Sequence, residues 1–139
     1  MTVKFCVLGE VRSKQRPRAT VINGHARVYT PKDTVMYENL VRYAYQEQVG
    51  RKLEGAIEAV IKAYFSIPKS VSKKQRSWLE TELAPHTKKP DIDNCVKSCI
   101  DSLIGVAFDD DKQIYKIVAE KYYSCTPRVE IELRETNEG

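Results

Sequence analysis

Lys88-Lys89-Pro90-Asp91-Ile92-Asp93-Asn94-Cys95-Val96-Lys97, carried on through residues 98–114 to Asp109-Asp110-Asp111-Lys112-Gln113-Ile114, decides how this chain is read. Six of its nineteen acidic residues fall in those positions. Pro90 biases Lys89 towards extended backbone, and Asp91 or Asp93 can then act as an N-cap. From Asp93 onward, Cys95, Val96, Cys99, Ile100, Leu103 and Ile104 recur at helical spacing and fill one broad apolar face. Asp93, Lys97 and Asp101 repeat every fourth residue along the edge of that face. Gly105 predicts the helix stop, and the three-Asp run arrives just before a predicted strand.

Carboxylate oxygens are the ligands that hard divalent cations require, and Mg²⁺ sites combine one or two of them with waters and substrate phosphate. Asp91 and Asp93 flank a helix start, and the acidic run could fold back to complete such a site. Lys97, one turn beyond Asp93, is placed to reach a phosphate oxygen. Each residue alone has a commoner role. An Asp before a helix usually caps it, an Asp-Lys-Asp ladder is usually surface pairing, and an Asp run is usually a solvated turn. The joint pattern on a basic chain favours the metal-and-phosphate reading.

The stretches Lys89-Pro-Asp-Ile-Asp-Asn-Cys-Val-Lys97, Asp101-Ser-Leu-Ile-Gly105 and Phe108-Asp-Asp-Asp-Lys-Gln-Ile114 resemble the signature of RusA-type Holliday junction resolvases. The resemblance extends to Lys14-Gln-Arg-Pro-Arg18 and to total length. It implies a small, dimeric, divalent-metal-dependent endonuclease of a kind common in prophages, acting on four-way DNA junctions in recombination and repair. It implies catalytic roles for Asp91, Asp93, Asp111 and Lys97, with Asp91, Asp93 and Asp111 as ligands of Mg²⁺ or Mn²⁺ and Asp110 as a further candidate. The extra acid, Asp109, leaves open which member of the run faces the metal.

The rest of the chain predicts one α+β domain over residues 1–139, with helices on one face of a mainly antiparallel or mixed sheet. Val3, Phe5 and Val7 alternate as a first strand. Asn23-Gly24 signals a hairpin between residues 19–22 and 26–30. Thr30 as N-cap and Pro31 at N1 open a helix running to Gly50. Ile57, Ala59, Ile61, Ala63 and Phe65 line one face of a strand that Pro68 closes. Residues 72–83 predict a short helix carrying the lone Trp78. Residues 115–124 and 129–134 predict two last strands turned at Thr126-Pro127, with 135–139 a frayed tail.

Net charge is +4, with 23 Lys and Arg against 19 acids. That is mild support for a polyanionic partner. Lys14, Arg16, Arg18, Lys73, Lys74, Arg76, Lys88 and Lys89 are the candidate DNA-backbone contacts. The four cysteines lack CxxC spacing, which argues against zinc and for buried, reduced thiols in a cytoplasmic protein. No apolar run is long enough to span a membrane, and no secretory signal is seen. Two other classes fit parts of the pattern: a non-catalytic nucleic-acid-binding module, and a metal-dependent phosphohydrolase of small substrates. The extended basic footprint disfavours the latter.

Overall fold

Alternating apolar residues build a four-stranded mixed sheet from β1 (Thr2–Leu8), β4 (Ala56–Ser66), β5 (Ile114–Ser124) and β6 (Arg128–Thr136). The computed structural model describes residues 1–14, 17–29 and 31–136. The strand order is β1-β6-β4-β5, with β1/β6 and β6/β4 antiparallel and β4/β5 parallel. Val3, Phe5, Val7, Ile57, Ala59, Ile61, Val129, Ile131 and Leu133 all point to the covered face. This is the period-two pattern of a sheet buried on one side. The opposite face carries charge: Glu58 pairs with Arg134 and Lys116, and Glu132 pairs with Lys4.

Two helices close the covered face. The longer is α1 (Lys32–Gln48), whose Tyr37, Val41, Ala44 and Tyr45 are buried. Phe5 meets Tyr45 edge to face with ring centroids 5.1 Å apart. The cap position falls on Pro31, one residue later than the sequence predicts; Thr30, the predicted cap, lies outside the described residues. Gln48, at the far end of α1, bonds both the N–H and the C=O of Cys6 at 2.9 and 2.7 Å. That side chain thereby satisfies part of the free edge of β1. Between α1 and the core helix described next lies α2 (Lys73–Leu79), which is N-capped by Ser72.

The second covering helix is α3 (Ile92–Leu103), with Cys95, Cys99, Ile100 and Leu103 in the core. Most of its apolar face is therefore spent inside the monomer. Gly105 follows at φ +89°, the left-handed stop that suits glycine. Leu103, Ala107 and Phe108 are fully buried beside it. A buried Leu or Phe contributes about 1.5–3 kcal/mol, so residues 103–108 pin the start of the acidic run to the core.

Three features depart from the sequence reading. β5 and β6 do not form a hairpin; the Thr126-Pro127 connection carries the chain across β4, which separates them. Glu135 and Thr136 belong to β6 and not to a tail, and Glu135 accepts the Glu54 N–H at 2.8 Å; residues 137–139 lie outside the described residues. The hairpin of β2 (Arg18–Ile22) and β3 (His25–Tyr29) forms a separate two-stranded sheet, turned at Asn23 and Gly24, both with positive φ. That is the twist-matched turn Asn-Gly favours. No helix among the described residues is long and apolar enough to cross a membrane.

Candidate active site

The site is built on α3. Asp91 takes the N-cap position with extended backbone, yet its side chain makes no cap hydrogen bond. Asp93 follows in the first turn, where the helix dipole favours an anion. Asp91, Asp93 and Lys97 are all exposed, whereas the next member of the stripe, Asp101, is only about 13 % exposed at its side chain. One Asp101 oxygen accepts from Lys97 at 3.1 Å and from Lys14 at 2.7 Å. Burial works to raise the Asp101 carboxyl, but the two ammonium donors outweigh it and hold it below its ordinary value.

An open cleft of about 390 Å³ lies between α3 and the start of β5; Asp93, Lys97, Asp101 and Asp111 line it together with Ile114 and Ile117. Asp91 lines a second, larger cleft of about 770 Å³, shared with Glu10, Arg12, Asp33, Lys89 and Asn94. The structure thus brings Asp93, Lys97 and Asp111 to one cleft, while Asp91 lines the other. Among the described residues, no group of three or more His, Cys, Asp or Glu side chains forms a ready metal cage.

The acidic run separates into three roles. Asp109 pairs with Lys52 at 2.8 Å. Asp110 caps the 3₁₀ turn Asp111–Gln113, accepting from the Lys112 N–H at 2.9 Å while the Gln113 amide oxygen receives the Asp109 and Asp110 N–H groups. Asp111, exposed, is the member left facing the cleft. The Asp110 carboxyl is held below its usual value first by the Lys112 N–H and then by a hydrogen bond with the Asp111 carboxyl.

The basic residues distribute unevenly. Lys14 is tied to Asp101, and the carbonyl of Arg12 accepts from Ser98 Oγ at 2.6 Å, so the basic loop is anchored on α3. Arg16 lies outside the described residues. Arg18 is exposed on β2, and Lys73 and Lys74 are exposed on α2. Arg76 is half-buried and donates to the Pro68 carbonyl at 3.2 Å. Lys88 is exposed, while Lys89 stands at the larger cleft with Asp91. Trp78 does not pack; it is 55 % exposed on α2. Cys95 and Cys99 are pushed up to about 11 and about 12 by burial, so they are protonated core thiols. The sequence offers the Lys97–Asp101 pair as a surface ladder, through their fourfold spacing, but not Lys14 as its second partner. It places Arg12 only in the basic loop and gives no role to Asn94, since nothing local signals either position.

Exposed carboxylates beside a lysine, next to a basic loop fixed on the same helix, make an arrangement suited to phosphodiesters. The family model described as Endodeoxyribonuclease RusA matches residues 9–134, nearly the whole chain and the whole of this site. The chain belongs to the RusA endodeoxyribonuclease family. It is also similar to the uncharacterized protein YqaN of Bacillus subtilis (strain 168), at 35 % identity over 138 residues covering 97 % of each chain.

Proposed function

We propose that this protein is a structure-selective endonuclease that resolves four-way DNA junctions by paired nicks, working as a homodimer with a bound divalent cation, Mg²⁺ or Mn²⁺. The observation that carries the reading is the shared cleft: Asp93, Lys97 and Asp111 line it, and the basic loop is anchored beside it through Lys14 and Asp101.

The residues fit a cation that takes two carboxylates and completes its shell with water and substrate phosphate, as Mg²⁺ commonly does. Asp93 and Asp111 would hold it, with Asp110 against Asp111 and Asp91, at the neighbouring cleft, as a further candidate ligand. Bound there, the cation supplies Lewis-acid polarisation of the scissile phosphate and a more acidic water. Lys97 offers a fixed ammonium to the non-bridging phosphate oxygens, where negative charge grows in the transition state. Asp101 keeps that ammonium at the cleft before substrate arrives. Lys14, Arg16, Arg18, Lys73, Lys74, Arg76, Lys88 and Lys89 hold the phosphate backbone. A junction presents two symmetry-related strands and this chain one acidic cluster, which favours a C₂ pair with one active site per subunit.

The test is purified protein on fixed and mobile four-way junctions with Mg²⁺, Mn²⁺ or EDTA. Symmetric nicks that EDTA stops are the expected result. Binding without cleavage under every metal condition would make the protein a non-catalytic DNA-binding module. A mixed dimer of wild-type and Asp93→Asn subunits should nick one strand of each pair; two cuts from a monomeric species would remove the dimer from the reading.

A further inference from the structure

The β2–β3 hairpin is an arm whose ten strand residues are all exposed. A two-stranded hairpin alone is marginal in water, so this one forms a surface and adds little to the core. Its register pairs Arg18 with Tyr29, Thr20 with Arg27 and Ile22 with His25 on one face, and Ala19 with Val28 and Val21 with Ala26 on the other. All the basic and aromatic side chains of the arm therefore share one face. Arg18 and Arg27 are diagonal neighbours there, about 7–8 Å apart.

Charge singles out the same segment. From Val11 to Lys32 the chain holds six Lys and Arg and no Asp or Glu, against a net charge of +4 for the whole protein. The remainder of the chain is therefore net acidic, and the positive field belongs to this stretch. By contrast, the basic residues of α2 lie close in sequence to Glu80 and Glu82. The stem of the arm is fixed to α3 by the Lys14–Asp101 and Arg12–Ser98 bonds. A five-residue strand extends about 17 Å, and a two-stranded ribbon is a shape that a DNA groove admits.

We propose that the β2–β3 hairpin is a DNA-binding ribbon whose Arg18, His25, Arg27 and Tyr29 face lies against the phosphate backbone of a duplex arm. This rests on the endonuclease reading for the identity of the polyanion, and it adds His25, Arg27 and Tyr29 to the footprint.

The experiment measures binding of the full-length protein to plain duplex and to a four-way junction across a salt series. Arg27→Ala should lower the log–log salt slope on duplex by about 0.9 and weaken binding about fivefold at physiological salt. Arg18→Ala should do the same. Arg27→Lys keeps the charge and should keep the slope. Lys4→Ala, which removes a charge from the opposite side of the sheet, should leave the slope unchanged. A wild-type slope in Arg27→Ala would overturn the proposal. So would an equal loss in Arg27→Lys or Lys4→Ala, since position and charge on the arm would then not be the cause. Failure to nick junctions with these binding results intact would sink the endonuclease reading and leave the ribbon standing.

Discussion

Lys14 Nζ sits 2.7 Å from Asp101 Oδ2, joining residues 87 positions apart, and Lys97 shares that same oxygen at 3.1 Å. One half-buried carboxylate therefore locates both the basic loop and the lysine of the candidate site.

Asp101→Asn leaves two ammonium groups facing a neutral amide. Stability should fall by about 1–2 kcal/mol, the cost of taking one partner from a partly buried, hydrogen-bonded pair. The carboxyl is held below its usual value of 3.8, so its contribution is present above that value and is lost as pH falls through the lower, folded-state value. Acid unfolding of Asp101→Asn should accordingly lack that component. Chemical denaturation at neutral and acid pH reads both effects, and an unchanged midpoint at neutral pH would show that the ion pair is incidental.

The run Asp109-Asp110-Asp111 should not behave as three equal acids. Asp111→Asn should slow junction nicking at least about a hundredfold, in the range found for losing one group that stabilises developing charge. Asp93→Asn should match it. Asp109→Asn, which removes only the exposed pair with Lys52, should cut near the wild-type rate. Asp110→Asn should fall between, because it weakens the cap of the turn that presents Asp111. Single-turnover cleavage of the four variants decides it; strong loss in Asp109→Asn would reassign the run.

How far the sequence reached follows from the range of each interaction. The apolar faces of β1, β4, β6, α1 and α3 were legible because burial imposes periods of 2 and 3.6 on adjacent residues. The Asn23-Gly24 turn was legible because its backbone admits few residues. The parallel pairing of β4 with β5 was not, since nothing in residues 125–127 encodes a step across a strand. The sequence suggested that Asp91, Asp93 and Asp111 converge. Three-dimensional placement instead puts Asp91 on a neighbouring cleft and sorts the acidic run by contacts with Lys52 and the Lys112 N–H. Those partners lie outside the motif or in the backbone, where no side-chain pattern can announce them.

His86 should make the fold sensitive to mild acid. Its ring stacks on Phe65 at 4.0 Å between centroids, meets Tyr123 at 4.9 Å, and its Nδ1 is buried with no hydrogen-bond partner among the described residues. Burial first, and Lys121 second, hold its pKa below the ordinary 6.5. The unfolded chain then takes up the proton first, so stability falls as pH drops below 6.5 and levels off below the folded-state value. His86→Phe should remove that slope. Urea midpoints at about pH 5 and about pH 8 compare the two proteins; equal slopes would mean that His86 is not the titrating group.

Lys97 should act on the chemical step more than on binding. Its ammonium lies one helical turn from Asp93 and lines the same cleft as Asp111, yet in the free protein it is engaged by Asp101. A charge already paired adds little to the attraction that draws DNA in. At the cleft, growing charge on the phosphate can compete for the ammonium. Lys97→Ala should therefore lower the single-turnover rate at saturating protein by about a hundredfold, while junction affinity changes little. Lys97→Arg keeps the charge on a longer, planar head and should recover part of the rate. Asp101→Asn, which frees the ammonium without removing it, should cost less than Lys97→Ala. A Lys97→Ala protein that cuts at the wild-type rate once saturated, but binds more weakly, would place Lys97 among the backbone-binding cations instead.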